Sequence, residues 1–180
     1  EASFTHATFG GGARFDDATF GGKASFYSAT FGGKALFDLA SFGRHADADF
    51  CLSKFHEEAS FSRAIFGGEA SFTHATFDGE TSFFDATFGG RTLFNRSTFE
   101  GLADFGGVWH TKGIRFAETF FLHTLSFRFN TTPAPLRLIY DSEDQAAIDV
   151  AYATLDNKPK DLYGNVIEAI NWDEPSNAHY

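Results

Sequence analysis

The chain has 180 residues and a formal net charge of −10, from 24 acidic and 14 basic residues. This negative balance argues against direct binding to nucleic acid, because phosphates need a positively charged surface. The one cysteine excludes an internal disulfide framework. No segment approaches the roughly 20 apolar residues that a membrane-spanning helix requires.

Phenylalanine recurs with a regular spacing over the first two thirds of the chain. The gaps between successive residues alternate between five and six, and one gap of eight separates Phe42 from Phe50. The nineteen residues of this ladder are Phe4, Phe9, Phe15, Phe20, Phe26, Phe31, Phe37, Phe42, Phe50, Phe55, Phe61, Phe66, Phe72, Phe77, Phe83, Phe88, Phe94, Phe99 and Phe105. Such a period identifies an internal repeat, which must be interpreted before any single residue.

A small residue stands two positions before every phenylalanine of the ladder. It is Ala in fifteen cases and Ser or Thr in the other four, so the repeat has the form A-x-F-x-x-A-T-F-G-G-x. Spacings of five and six form no stripe on a helix, which turns every 3.6 residues. Two repeats, about 22 residues, would instead form a square coil in which Phe and Ala point inward and the residue between them points outward.

Glycine pairs such as Gly10-Gly11 and Gly21-Gly22 follow every second phenylalanine in the regular part of the repeat. We expect them at corners of the coil where a Cβ is disfavoured. Phenylalanines stacked about 4.8 Å apart in successive coils would fill the centre of the column.

Several five-residue units resemble pentapeptide repeats. They are Ala2-Ser3-Phe4-Thr5-His6, Ala7-Thr8-Phe9-Gly10-Gly11 and Ala18-Thr19-Phe20-Gly21-Gly22. The resemblance covers roughly residues 1–129 and implies an all-β solenoid, a right-handed quadrilateral β-helix. The sequence departs from the family pattern by one added residue in alternate units, which changes the corners rather than the architecture. Some members of the family mimic duplex DNA and occupy the DNA site of gyrase, a type II topoisomerase.

Two extra residues interrupt the repeat between Phe42 and Phe50, in the segment Gly43-Arg44-His45-Ala46-Asp47. We interpret them as a bulge or short loop at a corner. Because insertions in repeat proteins cluster on binding faces, Arg44, His45 and Asp47 are candidate partner contacts. Trp109 is a further candidate contact, although its place near the end of the repeat favours an end cap.

The last coil departs from the pattern. His110 stands where a phenylalanine is due, and the small positions are taken by Ile114, Thr119 and Leu125. We therefore divide the chain into a repeat domain, 1–131, and an acidic tail, 132–180, which has nine acidic and three basic residues. The tail is predicted to be partly helical over 145–155 and either to cap the open end of the solenoid or to mediate dimerisation.

The seven histidines do not occur at metal-ligand spacing, and Cys51 with His45 or His56 is a weak catalytic pair. We therefore expect no enzyme, no cofactor and no metal site.

The favoured function is a non-catalytic interaction scaffold with a protein partner, and the solenoid ends allow end-to-end stacking of copies. A DNA mimic that binds gyrase is the alternative, which the mixed signs of the predicted outward columns oppose.

Ice binding by columns of threonine is a minor alternative. The chain begins in phase with the repeat and without Met, so we expect it to derive from a longer protein.

Overall fold

The computed structural model describes residues 1–110, 114–123 and 125–126. These residues form a parallel β-solenoid of about 22 residues per coil, whose four faces, A to D, follow one another along the chain. Every strand is two residues long and lies beside the equivalent strand of the next coil. The predicted quadrilateral architecture is confirmed.

In the described residues, faces A, B and C contain six strands each and face D contains five. Face A contains Ala2–Ser3, Ala24–Ser25, Ala48–Asp49, Ala70–Ser71, Thr92–Leu93 and Ile114–Arg115. Face B contains Thr8–Phe9, Thr30–Phe31, Lys54–Phe55, Thr76–Phe77, Thr98–Phe99 and Phe120–Phe121. Face C contains Ala13–Arg14, Ala35–Leu36, Ala59–Ser60, Thr81–Ser82, Ala103–Asp104 and Leu125–Ser126. Face D contains Thr19–Phe20, Ser41–Phe42, Ile65–Phe66, Thr87–Phe88 and Trp109–His110.

The register between coils confirms the 11-residue double repeat and its interruption. Ala2 pairs with Ala24 and Ala48 pairs with Ala70, a step of 22 residues. Between them Ala24 pairs with Ala48, a step of 24 residues. The two added residues are therefore accommodated at one corner, and the coils on either side keep the same phase.

The core is a column of stacked phenylalanine rings. Ladder residues from Phe26 to Phe105 are at most 1% exposed. Rings of successive coils are nearly parallel, as for Phe26 and Phe50, whose centroids lie 4.8 Å apart. Within a coil the rings of faces A and C meet edge to face, as for Phe26 and Phe37 at 5.3 Å and 89°. Both geometries are favourable for aromatic quadrupoles, so each ring is held by its neighbours above, below and across.

The corners after faces A and C are four-residue turns. The Ala7 N–H donates to the Phe4 carbonyl at 3.0 Å, and His6, the third residue of this turn, has a φ of 59°. This is the geometry of a type II turn. In these turns the left-handed position is occupied mostly by residues other than glycine, including Leu39 and Arg63.

The corners after faces B and D contain the predicted glycines, for a different reason. None of these glycines has a positive φ, but a Cβ at Gly90 would lie 2.1 Å from the Gly68 carbonyl oxygen of the preceding coil. A Cβ at Gly79 would lie 2.6 Å from the backbone of Glu57. Glycine is thus required by the close approach of successive coils, not by the direction of the turn.

The atypical last coil is also as predicted. His110 pairs in register with Phe88, and Ile114, Thr119 and Leu125 are buried in the small positions. The described residues contain no helix, and hence none that could cross a membrane. The predicted helix over 145–155, the capping or dimerisation role of the tail and the domain boundary at residue 131 lie outside the described residues.

Candidate functional site

Face D is the face whose outward strand column has no charged side chain in the described part of the chain. The column consists of Thr19, Ser41, Ile65, Thr87 and Trp109. Ile65 and Trp109 are about half exposed, at 48% and 49%. Two coils separate them, roughly 10 Å at the usual strand spacing. Face D is thus a neutral surface with two large apolar side chains.

The insertion lies at the edge of this face. The Ala46 N–H donates to the Gly43 carbonyl at 2.9 Å, and His45 has a φ of 66°, so the added residues form a compact turn. Arg44 and His45 are exposed there. Together with Ile65 they line an open depression of about 480 Å³. Its other lining residues are Ser41, Phe42, Gly67 and Gly89.

The structure thus brings three of the four predicted contact residues to face D or its edge. Arg44 and His45 border the depression, and Trp109 stands in the outward column. Because Trp109 is exposed, it is not buried in an end cap of the described residues. Asp47 differs, since its carboxylate accepts the Glu69 N–H of the next coil at 3.1 Å. This hydrogen bond links two coils at the corner between faces D and A, where Asp47 is exposed.

Sequence reasoning missed Ile65 and Leu39 as surface features. Ile65 occupies a position of the face D column that Thr or Ser takes in three other coils, and it is an exposed apolar side chain beside the insertion. Leu39 is 51% exposed in the turn that leads into face D. The available signal was a large apolar residue at an outward position of the repeat.

Charged residues are concentrated at the corners and often pair between coils. The Lys34 ammonium lies 2.5 Å from Glu58, whose hydrogen bond and charge raise the pKa of the lysine. Arg96 contacts both carboxylate oxygens of Glu118, at 2.8 and 3.1 Å, and thereby lowers the pKa of that carboxyl. The predicted mixed-sign columns are therefore present, with opposite charges meeting across coils.

The corner between faces B and C carries the largest excess of acid. It has five carboxylates over three coils, beside Lys34 and His56: Glu57, Glu58, Asp78, Glu80 and Glu100. Two of the five are paired, Glu58 with Lys34 and Asp78 with His56 at 2.7 Å. The acidic surface is therefore short and partly neutralised.

The candidate catalytic side chains, Cys51, His45 and His56, lie apart from one another. Cys51 follows face A, His56 follows face B and His45 follows face D, so they occupy three different corners. Burial raises the pKa of the Cys51 thiol, which lies 3.0 Å from the Ser71 hydroxyl. In the described ranges no group of three or more His, Cys, Asp or Glu side chains could hold a metal ion.

The threonine columns lie on opposite sides of the solenoid. Thr8, Thr30, Thr76 and Thr98 belong to face B, whereas Thr19 and Thr87 belong to face D. Each two-residue strand presents one outward side chain, so each column is one threonine wide. They do not form the broad hydroxyl array that ice binding would need.

Comparison with known families agrees with this geometry. A family model described as pentapeptide repeats, 9 copies, matches residues 4–47 and 45–87. Over residues 4–87 the solenoid consists of pentapeptide repeats. No curated protein and no solved structure matches the chain. The family assignment accounts for the repeat and its fold, and face D is a feature of this particular pentapeptide-repeat solenoid.

Proposed function

We propose that this pentapeptide-repeat protein is an interaction scaffold whose face D binds a protein partner. The observation that carries the proposal is the neutral outward column of face D, with Ile65 and Trp109 half exposed. Burying the exposed halves of these apolar side chains favours association, because it removes apolar surface from water. Tryptophan is also enriched among the residues that dominate binding energy.

The rigid framework supports a binding role. The inward phenylalanines are close-packed, and every outward residue on face D is attached to a strand paired with its neighbours. The face therefore loses little conformational freedom on binding, which favours affinity. The insertion adds Arg44 and His45 at one edge, so the partner would place apolar side chains over Ile65 and Trp109 and an acidic group near Arg44.

Site-specific photo-cross-linking tests this proposal. A photoreactive amino acid replaces Thr87, between Ile65 and Trp109, and the control replaces Thr76 in the corresponding outward position on face B. We expect a protein adduct from position 87 in cells that produce the protein, with little from position 76. Trp109→Ala should abolish the adduct from position 87. Equal adducts from both positions, or an adduct that survives Trp109→Ala, would refute the assignment of face D.

A second candidate is a DNA mimic that binds gyrase, and the acidic corner between faces B and C favours it. This corner could imitate a short row of phosphates, with Glu57, Glu80 and Glu100 among its members. Its ion pairs with Lys34 and His56 and its span of three coils argue for the scaffold instead. A gyrase supercoiling assay with stoichiometric protein, at low and physiological salt, separates the two. Inhibition or protection would favour the mimic, and no effect at large excess would eliminate it.

A further inference from the structure

Face D has an unpaired cation beside its apolar column. Arg44 is exposed at one edge of the face and has no ion pair among the described residues, whereas Arg63 at the other edge contacts Asp85 at 4.0 Å. Arg44 follows the face D strand of the second coil, and Ile65 and Trp109 belong to the third and fifth coils. From Arg44, the apolar side chains thus lie about 5 and 14 Å along the solenoid axis.

This face also leaves room for a bulky element beside the column. The residues that follow its strands in the second to fourth coils are Gly43, Gly67 and Gly89, so this row carries no side chains. Beside face B the corresponding residues of the third and fourth coils are His56 and Asp78. The open depression of about 480 Å³ is lined by two of the three glycines. Face D can therefore receive an element that lies parallel to the solenoid axis.

The C-terminal part of the sequence contains a segment with the same order of charge and apolar groups. A helix is predicted over 145–155, and Ile148, Tyr152 and Leu155 share one stripe of it. One turn toward the N-terminus, the stripe reaches Asp144. At 1.5 Å per residue, Ile148 and Leu155 lie about 6 and 16 Å from Asp144 along the helix. The two apolar positions on face D lie about 5 and 14 Å from the cation, so the two rows agree within about 2 Å.

We infer that residues 144–155 bind along face D of their own chain and cover it. Asp144 pairs with Arg44, and the apolar stripe of the helix packs on Ile65 and Trp109. The reverse direction of the helix is disfavoured, because it sets Asp144 beside Trp109 and leaves Arg44 unpaired. The segment occupies the surface that a partner needs, so the regulatory consequence rests on the proposed function, whereas the intramolecular contact does not.

The intervening chain is long enough for this arrangement. The described residues end with the strand Leu125–Ser126, which belongs to the sixth coil and to face C, the face that precedes face D. Four coils, roughly 19 Å, separate the sixth coil from the second. Residues 127–143 can span up to about 55 Å. Because the contact is intramolecular, it forms at an effective concentration on the order of millimolar and does not require high affinity.

The other faces suit an acidic segment less well. The outward columns of faces A and C contain the carboxylates Asp49 and Asp104. The corner after face B carries the largest excess of acid, including Glu80 and Glu100. The outward column of face D has no charged side chain in the described part of the chain. The segment 144–155 therefore meets less repulsion on face D.

Disulfide formation in the purified full chain tests the contact without any partner. In a Cys51→Ser background, Thr87→Cys on face D is combined with Ala151→Cys on the stripe of the predicted helix. The control combines Ala151→Cys with Thr76→Cys, in the corresponding position of face B. Mild oxidation should close an intramolecular disulfide at least about tenfold faster for the face D pair. Equal rates for the two pairs, or linked dimers in place of a closed monomer, would overturn the inference.

Substitutions in the segment test its apolar stripe and its direction. Ile148→Asp should slow closure of the face D disulfide about tenfold, whereas Val150→Asp, on the opposite side of the predicted helix, should leave the rate unchanged. Asp144→Arg should slow closure about twofold to fivefold, and the added Arg44→Asp should restore the rate. Circular dichroism establishes that each variant keeps the solenoid. Equal rates for Ile148→Asp and Val150→Asp, or a charge exchange without rescue, would contradict the proposed contact.

The intramolecular contact and the partner can fail separately. Ile148→Asp should raise the partner adduct from the photoreactive position 87 several-fold, because it uncovers face D. A fast disulfide without any partner adduct would support the segment and refute the partner. A partner adduct without a fast disulfide would support the partner and overturn the inference.

Discussion

Single phenylalanines determine the stability of this protein more than any surface residue. Phe61 is fully buried and stacks on Phe37 and Phe83, both at 4.9 Å. Phe61→Ala removes a ring from the middle of the column, and the neighbouring coils cannot collapse without breaking their registers. We expect a loss of about 3–5 kcal/mol in the free energy of unfolding. Denaturant unfolding measures it, with the outward Thr76→Ala as a control that should change little; equal effects would contradict the stacked core.

The glycines at the corners after faces B and D contribute separately to stability, and substitution by alanine tests this contribution. A Cβ at Gly90 would lie 2.1 Å from the Gly68 carbonyl oxygen, so Gly90→Ala forces two coils apart. We expect a loss of about 1–3 kcal/mol, as for other overpacked sites. Gly12→Ala, with an ordinary contact of 3.7 Å, should be neutral or slightly stabilising. Similar melting temperatures for the two variants would show that the coils do not approach this closely.

His110 introduces a dependence on pH into the end of the column. It occupies a phenylalanine position above Phe88, and neither ring nitrogen has a hydrogen-bond partner in the described part. Burial lowers the pKa of His110 below its usual 6.5, so the unfolded chain binds the proton more readily. The stability of the folded chain is therefore not reduced by His110 above pH 6.5. Below pH 6.5 protonation of His110 in the unfolded chain lowers the free energy of unfolding, and the loss grows as the pH falls toward the lowered pKa.

Replacing His110 with phenylalanine should remove this dependence. His110→Phe completes the aromatic ladder, so its melting temperature should exceed the wild-type value by more at pH 5 than at pH 8. Melting curves across this range measure the difference. The exposed His74→Phe is the control, because it adds the same ring outside the core. A constant difference between His110→Phe and wild type at all pH values would show that His110 does not titrate with unfolding.

At the scale of an element, the insertion after Phe42 does not change the register of the neighbouring coils. The register steps are 24 residues across it and 22 on either side. Deleting Arg44 and His45 restores the regular spacing of six between Phe42 and Phe50. We expect the solenoid to fold with little change in melting temperature, because the neighbouring phenylalanine stacks keep their geometry.

The same deletion should weaken the binding of a partner to face D, since it removes two residues that line the depression. The measurement combines circular dichroism with the cross-linking yield at position 87. Replacing Arg44 and His45 by two serines keeps the loop length and separates the loss of charge from the loss of the turn. An unfolded deletion variant would show that the insertion is part of the framework.

For the whole molecule, the central column outweighs the surface charges. The ion pairs found between described residues are Arg14–Asp16, Lys34–Glu58, His56–Asp78, Arg63–Asp85, Arg91–Glu69 and Arg96–Glu118. All have exposed members, and such pairs contribute little to stability. We expect molar salt to change the melting temperature far less than Phe61→Ala does. Lys34→Gln, which removes one of these ion pairs, is the matched variant. A large decrease of the melting temperature in molar salt would mean that paired charges hold the coils together.

The amino-acid sequence by itself determined the architecture of the solenoid. A square coil with one inward Phe and one inward Ala on each side accounts for all features of the repeat. These are the spacings of five and six, the small residue two positions before each Phe and the paired glycines. The insertion and the atypical last coil were equally visible, because any departure from so regular a pattern is conspicuous. The inward residues from Phe26 onward could therefore be named from the sequence.

The tertiary structure decided what the outward columns present to solvent. It showed that Ile65 and Trp109 are half exposed and that Arg44 borders the same depression as Ile65. It also showed that glycine serves the approach between coils, whereas the left-handed positions belong to residues such as His6 and Leu39. The reason is physical: inward positions are specified locally by size, but a surface is assembled from residues that neighbouring coils bring together.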